Sequence, residues 1–280
     1  MRVAIVGVGL IGGSLGMALR ERRLAEVVVG IGRSPAALEK ALYLGAIDEF
    51  TTDLADGVRS ADLIVLATPI GQILADLGRL PTLLSPQAVV TDVGSTKAEI
   101  AREGDRLLTN GAFVPGHPMA GSERSGVEAA RADLFIEATW ALTPTDATNR
   151  EALKVVRHLA QAVGARTIVL DPHSHDRAVA VTSHLPHVLA YALTTLAAAE
   201  SQCNPHLLDL AAGSFASATR VAGSSPELWR DIALSNQAAL LEAIRAYRTL
   251  LTEAETILES GDADALLALF QRGHAARRES

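Results

Sequence analysis

A histidine and a serine in two short polar segments are the side chains best suited to proton transfer. His117 stands in GHPMAGSE at 116–123 and Ser95 in DVGSTK at 92–97. Because neutral imidazole accepts a proton near neutral pH, His117 is a candidate general base for an alcohol. Ser95 is its candidate partner. Lys97 either supports the same loop electrostatically or is solvated, and we favour the solvated interpretation. Two structural alternatives stay open from these residues alone: His117 as a cap in a proline-containing loop, and Ser95 as the N-cap of the helix that follows.

A glycine-rich turn follows the first apolar run of the chain. The segment GVGLIG at 7–12 comes directly after a predicted strand and opens an apolar-periodic helix. The first glycine permits a tight turn, the second lets the backbone approach a pyrophosphate, and the third lets the helix pack on the strand. The N–H groups at the helix start face the phosphates. The predicted dinucleotide contacts are Gly7, Gly9, Leu10, Ile11 and Gly12. A glycine-rich turn without a ligand is the alternative.

The end of the second predicted strand bears on the choice between NAD and NADP. An NAD site usually places a carboxylate there, which accepts a hydrogen bond from the ribose 2′-hydroxyl. Here Gly32 stands at that position, and Arg33 and Ser34 supply a cation and a hydroxyl that suit a 2′-phosphate. NADP is therefore the favoured cofactor, and NAD is the alternative, in which Arg33 stacks on the adenine. Thr68 and Pro69 follow a later strand, and we expect them to border the nicotinamide half.

Short apolar runs alternate with helix-period segments through the first half of the chain. Predicted strands occupy 2–7, 26–31, 61–67, 87–92, 112–115, 139–143 and 166–170. Helical patterns occupy 10–22, 35–44, 71–84, 96–108 and 149–163. This alternation predicts an α/β fold, a doubly wound parallel sheet of the Rossmann type. Ligands bind at the carboxyl edge of such a sheet, where the polar segments described above would meet.

The pattern changes near residue 170, after which we find no convincing strand. We therefore predict an α/β domain at 1–170 and an all-helical domain at 171–280. In the second domain a helix rich in Ala, Leu and Val is kinked or broken at Pro186. The segment 226–258 is predicted to be one long amphipathic helix, and Asp262 is the predicted N-cap of the last helix.

Composition narrows the classes of function. Lys and Arg number 25 and Asp and Glu 32, so the net charge of −7 disfavours a nucleic-acid or anionic-membrane binder. Aromatic residues make up only 4%, which predicts an aliphatic core. The single cysteine, Cys203, excludes an intrachain disulfide framework and fits the cytoplasm. We find no apolar run long enough for a transmembrane helix. A mean hydropathy of +0.22 suggests that subunits bury apolar surface between them.

Two further segments, HLPH at 184–187 and SPELW at 225–229, complete a set of motifs with a family likeness. Together with GVGLIGGS, DVGSTK and HPMAGSE, in this order, they strongly resemble the prephenate/arogenate dehydrogenase family of tyrosine biosynthesis. The resemblance spans nearly the whole chain and is greatest to monofunctional prephenate dehydrogenases. It implies a Rossmann domain followed by an all-helical dimerisation domain, and hence a homodimer. The activity implied is the oxidative decarboxylation of prephenate to 4-hydroxyphenylpyruvate, with NAD or NADP as hydride acceptor.

The resemblance also implies roles for individual residues. Catalysis is assigned to His117 and Ser95, and substrate binding to Arg220, His187, Ser122, Glu123 and Trp229. Trp229 or its neighbours would reach the active site of the partner subunit. Arg220 offers a planar fork for a substrate carboxylate, and a surface ion pair with Glu227 is its alternative. With His173 and His175, the HLPH histidines also suggest metal binding, but the implied chemistry needs no metal.

The substrate side chain is a keto acid in prephenate and an amino acid in arogenate. His187 as a hydrogen-bond donor and Arg220 as a cation favour the former, whereas Glu123 would attract the ammonium of the latter. We predict prephenate, with arogenate as a possible second substrate. Related two-domain dehydrogenases use a catalytic lysine on the helical domain, and this chain has none after Lys154. A non-enzymatic dinucleotide sensor is the alternative from another class of function, but a sensor would need neither His117 as a base nor Arg220.

Overall fold

The computed structural model describes residues 1–122 and 124–279. The strands of its larger sheet are β1 (Arg2–Val6), β2 (Val27–Ile31), β3 (Glu49–Thr51), β4 (Leu63–Leu66), β5 (Val89–Asp92) and β6 (Phe113–Val114). They run parallel in the order β3-β2-β1-β4-β5-β6. The predicted Rossmann-type sheet is confirmed. The short, half-exposed β3 was not predicted, because three residues give no pattern.

Helices cover both faces of this sheet because its strands are apolar on both sides. Val3 and Ile5 of β1 pack into the core on one face, while Ala4 and Val6 pack into the core on the other. The helices of this half are α1 (Leu10–Glu21), α2 (Pro35–Tyr43), α3 (Leu54–Val58), α4 (Ile70–Arg79) and α5 (Ala98–Leu107). The strand order reverses between β1 and β4, so a ligand crevice opens beyond the ends of these two strands.

A smaller sheet follows the larger one and differs from the prediction. Its strands are β7 (Gly116–Pro118), β8 (Thr139–Leu142) and β9 (Arg166–Val169), with helix α6 (Arg150–Ala162) before the last. β7 is antiparallel to β8, and β8 is parallel to β9. The prediction that β8 and β9 belong to the parallel sheet is therefore wrong, and β7 was not predicted. Pro115, which has no N–H to donate to a neighbouring strand, lies between β6 and β7.

The chain after β9 is built from helices, as predicted. They are α7 (Pro172–Val179), α8 (Leu185–Glu200), α9 (Gly213–Thr219), α10 (Pro226–Ser235), α11 (Gln237–Ser260) and α12 (Ala263–Glu279). The break predicted at Pro186 is present as a π-helical turn, Ala180–His184, between α7 and α8. Asp262 caps α12 as predicted, accepting a hydrogen bond of 2.9 Å from the N–H of Ala265. None of the helices within the described ranges is both long and apolar enough to cross a membrane.

The long helix predicted at 226–258 is instead two helices, α10 and α11. Asn236 lies between them with φ −120° and ψ 32°, outside the helical region. Its buried amide donates to the backbone carbonyl of Asp176 at 2.7 Å and lies 3.2 Å from the ring of His184. A tertiary hydrogen bond to α7 therefore overrides a helical pattern that continues through this position.

Candidate active site

A pocket with a volume of about 560 Å³ lies between the carboxyl edge of the larger sheet and the helices that follow β9. We call the part of the chain from residue 171 onwards the helical half, and the part before it the nucleotide-binding half. The predicted residues that line it are Ser95, His117, Ser122, His187, Arg220 and Trp229. Glu123 lies outside the described residues. The fold therefore brings together side chains from the end of β5, from β7 and from the helical half.

His117 is the middle residue of β7, where its pairing with Ala141 of β8 fixes the backbone. Its ring atom Nδ1 lies 2.9 Å from Nε2 of His175, and the two rings meet edge to face. The alternative in which His117 caps a loop does not describe this arrangement. Its polar contact is a second histidine, contributed by α7 of the helical half.

His175 is buried and in turn contacts Asp176. Its Nδ1 lies 2.8 Å from Oδ1 of that carboxylate. The same carboxylate accepts backbone N–H bonds from Lys97 and Ala98, at 2.7 and 2.8 Å, so it acts as an acceptor. In neutral rings the Nδ1–H of His175 then donates to Asp176, and the Nδ1–H of His117 donates to His175. This leaves a lone pair on Nε2 of His117.

The electrostatics around His117 favour its neutral form. Burial lowers its pKa well below the usual 6.5, and electrostatic interactions with His175, Lys97 and His184 lower it further. Burial likewise lowers the pKa of His184 to about 4. His117 is therefore a neutral base near pH 7, with its proton-accepting atom fixed by the hydrogen-bonded chain of His117, His175 and Asp176.

Ser95 lies in the connection between β5 and α5 and does not cap a helix. The helix begins at Ala98, and the carboxylate of Asp176 takes the capping position instead. The interpretation of Lys97 as solvated is wrong. Its side chain is fully buried, forms an ion pair with Asp92 and donates to the carbonyl of Gly116 at 2.8 Å.

His187 and Trp229 form one wall of the pocket. Their rings stack with centroids 3.3 Å apart and planes inclined by 21°. Trp229 thus contributes to the pocket of its own chain. The Nδ1 of His187 lies 2.9 Å from the carbonyl of Ser183, so the neutral ring carries its proton there. Nε2 is then an acceptor, and His187 donates from this atom only when the ring is protonated, contrary to the expected donor role.

Two guanidinium groups give the pocket positive charge. Arg220 begins a short turn after α9. Burial is the main cause that lowers the pKa of His187, and the charge of Arg220 lowers it further. Arg124 lines the pocket from the segment after β7. This second arginine was not predicted as a substrate contact, although it stands beside the predicted Ser122. Both cations are suited to bind carboxylates.

A second cavity, of about 530 Å³, lies beside the glycine turn and the end of β2. The predicted cofactor residues that line it are Gly7, Gly9, Arg33, Ser34 and Thr68. Those predicted residues that do not line it are Leu10, Ile11, Gly12 and Pro69. Of these, Gly12 packs beneath the turn, because an added Cβ would lie 2.1 Å from the carbonyl of Gly7.

The shape of this cavity fits a dinucleotide. Gly7 has φ +96°, and the space beside Gly9 is open to a ligand, since an added Cβ there would meet no atom within 4 Å. The hydroxyl of Thr68 is buried and lacks a hydrogen-bond partner among the described residues. A buried polar atom without a partner is costly, so a ligand group that pairs with it fits here.

Metal binding gains no support from the geometry. Within the ranges 1–122 and 124–279, no group of three or more His, Cys, Asp or Glu side chains is placed to hold an ion. His173 is exposed, whereas the buried His175 is engaged by His117 and Asp176.

Comparison with known proteins covers almost the whole chain. Residues 15–169 match the family model of the prephenate dehydrogenase nucleotide-binding domain. Residues 171–272 match that of the prephenate dehydrogenase dimerization domain. Prephenate dehydrogenase from Bacillus subtilis is 35% identical over 271 residues, which is 96% of this chain and 73% of the relative.

Solved structures agree with these matches. A prephenate dehydrogenase from A. aeolicus, in complex with hydroxyphenyl propionate and NAD+, superposes with a TM-score of 0.93 at 33% identity, covering 100% of this chain and 98% of the other. An arogenate dehydrogenase from Synechocystis superposes with a TM-score of 0.86 at 36% identity, covering 100% and 99%. Both family models and the relatives described above agree with the fold and the glycine turn, and this chain belongs to the prephenate dehydrogenase family of nicotinamide-dependent oxidoreductases.

Proposed function

We propose that this chain oxidises prephenate to 4-hydroxyphenylpyruvate and carbon dioxide, with a nicotinamide dinucleotide as hydride acceptor. The observation that carries the proposal is the chain of hydrogen bonds from His117 through His175 to Asp176. It provides a neutral base whose accepting atom is fixed. A dinucleotide sensor would have no use for such a base beside a cationic pocket.

The residues of the chain account for the proton transfers. Nε2 of His117 takes the proton of the 4-hydroxyl, while Ser95 bonds the same oxygen. When bound, the nicotinamide ring takes the hydride that leaves carbon 4. The bond between the ring and its carboxylate then breaks, and carbon dioxide leaves. The electron pair of that bond completes the aromatic ring, and the oxygen on carbon 4 regains a proton from His117. His175 and Asp176 stabilise the imidazolium in between, because a carboxylate at the end of the chain balances its charge.

The positive charge of the pocket supports prephenate, which carries two carboxylates and no cation. Arg220 and Arg124 supply two guanidiniums, and Ser122 supplies a hydroxyl donor for the keto acid. One observation favours arogenate as a second candidate substrate. Nε2 of neutral His187 is an acceptor, which would suit the ammonium of arogenate rather than the keto group of prephenate.

NADP is the proposed cofactor, with NAD as the alternative. At the end of β2, Gly32 provides no carboxylate to repel a 2′-phosphate. Arg33 and Ser34 line the cavity there, and Arg79 of α4, which pairs with Asp76 at 3.7 Å, adds a second guanidinium. Ser34 also caps α2, accepting from the N–H of Ala37 at 3.3 Å, so its oxygen is already held in place.

We further propose a cytoplasmic homodimer built through the helical domain, with domains at 1–170 and 171–280. Large apolar side chains are exposed on α11 and α12, where a partner subunit would cover them. They are Leu241, Leu250, Leu251, Leu258, Leu267 and Phe270. Exposed apolar surface on this scale is typical of an interface, and the family description of this half as a dimerization domain supports the proposal.

The test is a spectrophotometric assay of reduced-cofactor formation that combines prephenate and arogenate with NAD and NADP. We expect the highest kcat/KM with prephenate and NADP, and 4-hydroxyphenylpyruvate as the product. A preference for arogenate of tenfold or more, about 1.4 kcal/mol, would reverse the choice of substrate. Tight cofactor binding without turnover on either substrate would favour the sensor.

A further inference from the structure

A fully buried ion pair lies beside the backbone of two segments, which we call the catalytic segments: 92–97 with Ser95, and 116–118 with His117. Asp92 is the last residue of β5, Lys97 immediately precedes α5, and both side chains are 0% exposed. Because neither side chain reaches solvent, neither contacts substrate or cofactor directly. The mechanism described above makes no use of the pair, although it is one of the most deeply buried charged contacts of the described chain.

The carboxylate of Asp92 holds both catalytic segments by their backbone. Its Oδ2 accepts a hydrogen bond of 2.8 Å from the N–H of Gly94, the residue before Ser95. Its Oδ1 accepts a hydrogen bond of 3.1 Å from the N–H of Gly116, the residue before His117. One side chain therefore joins the serine segment to the histidine strand, although they are separated in the sequence.

Lys97 extends this connection to the helical half. Its ammonium donates to Asp92 and to the carbonyl of Gly116, so Gly116 is held by both of its backbone polar groups. Its own backbone N–H donates to Asp176, which orients His175. Position 116 has no room for a side chain, because an added Cβ would lie 2.9 Å from Nε1 of Trp140.

Stability alone does not account for an ion pair at this place. Burial raises the pKa of Asp92 and lowers that of Lys97, so removal from water opposes both charges. Apolar residues of similar volume are often as stable as a buried ion pair or more so. Apolar residues would, however, leave the N–H groups of Gly94 and Gly116 without acceptors. We infer that Asp92 and Lys97 are positioning residues for the proposed dehydrogenase reaction, holding Ser95 and His117 at a fixed separation.

The pair also affects the charge of the base. Titratable groups surround His117 on several elements. They include Asp92 at the end of β5, Lys97 before α5, His175 and Asp176 on α7, and His184 in the π-helical turn. Among them, the ammonium of Lys97 lowers the pKa of His117. Removal of that charge therefore raises the pKa of His117. Entry of water would also raise it, because burial is the larger cause of the low value, so a control variant must separate the two effects.

The test is Lys97→Gln in the full-length chain, with two measurements. Because misplacement by about 1 Å can cost about 10²-fold in rate, we expect kcat to fall by that order while substrate KM changes little. Independently of turnover, histidine NMR titration should show the midpoint of His117 at higher pH than in the wild type. Unchanged kcat together with an unchanged midpoint would overturn the inference. An inactive wild type would instead refute the proposed function, and the titration would still test the pair.

Thr91→Val is the matched control. Thr91 is buried on the same strand beside Gly116, but its hydroxyl donates to the carbonyl of Val114 at 2.7 Å and not to the segment of Ser95 or of His117. We expect it to lower the melting temperature but to leave kcat and the His117 midpoint unchanged. An equal fall in kcat in both variants would mark general destabilisation and contradict a positioning role. If Lys97→Gln fails to fold, the double variant Lys97→Met with Asp92→Asn removes both charges and provides the same two measurements.

Discussion

Nδ1 of His117 lies 2.9 Å from Nε2 of His175, so the base on one half of the molecule is hydrogen-bonded to a histidine on the other. This contact determines which nitrogen of His117 carries the proton in the neutral ring. It also provides an acceptor for Nδ1–H once the ring is protonated. The arrangement has the same logic as a catalytic triad, in which one group holds the tautomer of the base.

His117→Asn removes the proton acceptor itself. General acid–base catalysis contributes about 10²–10⁴-fold, so we expect kcat to fall by that factor. Cofactor affinity should hardly change, because His117 does not line the cofactor cavity. Steady-state kinetics and a fluorescence titration with the reduced cofactor check these two expectations. Turnover close to that of the wild type would remove His117 from the mechanism.

His175→Phe keeps a ring in place but removes the partner of His117. The base then loses its fixed tautomer and the support of its charged form, and we expect kcat to fall by about 10²-fold with a smaller change in KM. His173→Phe is the control, since His173 is an exposed histidine on the same helix. Equal turnover of the two variants would show that the contact between the two histidines has no catalytic role.

Arg220→Ala tests the binding of the substrate carboxylate. A hydrogen bond to a charged group contributes about 1.5–3 kcal/mol, so the substrate KM should rise by about 10–10²-fold, with less effect on kcat. Arg230→Ala is the control, because Arg230 is a nearby exposed arginine that pairs with Asp231 and does not line the pocket. A KM that responds equally to both changes would indicate a general charge effect instead of a contact.

Arg33→Ala should weaken NADP binding more than NAD binding if Arg33 contacts the 2′-phosphate. Gly32→Asp should shift preference towards NAD, because a carboxylate repels the phosphate and accepts from the ribose hydroxyl. The added Cβ would lie 3.3 Å from a side-chain atom of Leu38, which must shift slightly to accept it. Dissociation constants of both cofactors check this. A wild type that clearly prefers NAD, with Arg33→Ala affecting both cofactors alike, would refute our interpretation of this loop.

Stability should fall as the solution becomes acidic, because burial lowers the pKa of several histidines, among them His184. Its pKa is 6.5 when unfolded and about 4 when folded. Below pH 6.5 the unfolded chain therefore binds more protons than the folded chain, and the contribution of His184 is lost between these two values. At about 1.4 kcal/mol per pKa unit, the loss is about 3 kcal/mol. Denaturant unfolding measures the free energy of unfolding at pH 7 and at pH 4. The difference between the two values should be smaller in His184→Gln than in the wild type.

Much of the site could be predicted because its residues follow strands of one parallel sheet. The glycine turn, Thr68 and Ser95 all lie at the carboxyl edge that topology brings together. The role of His175 could not be predicted, because nothing in its spacing ties α7 to β7. Four histidines within a short stretch were the available signal, and they suggested metal instead. Lys97 was misjudged because lysines are rarely buried, and an exception requires a partner that only the fold supplies. Asn236 breaks a helix through a tertiary contact that no local pattern reveals.

The carboxylate of Asp176 belongs to the helical half but caps α5 of the nucleotide-binding half. A hinge motion that separates the halves would break these two hydrogen bonds and the contact between His117 and His175 in a single step. The orientation of His117 therefore depends on contact between the halves. The dinucleotide cavity does not share this dependence, because the residues that line it all belong to the nucleotide-binding half.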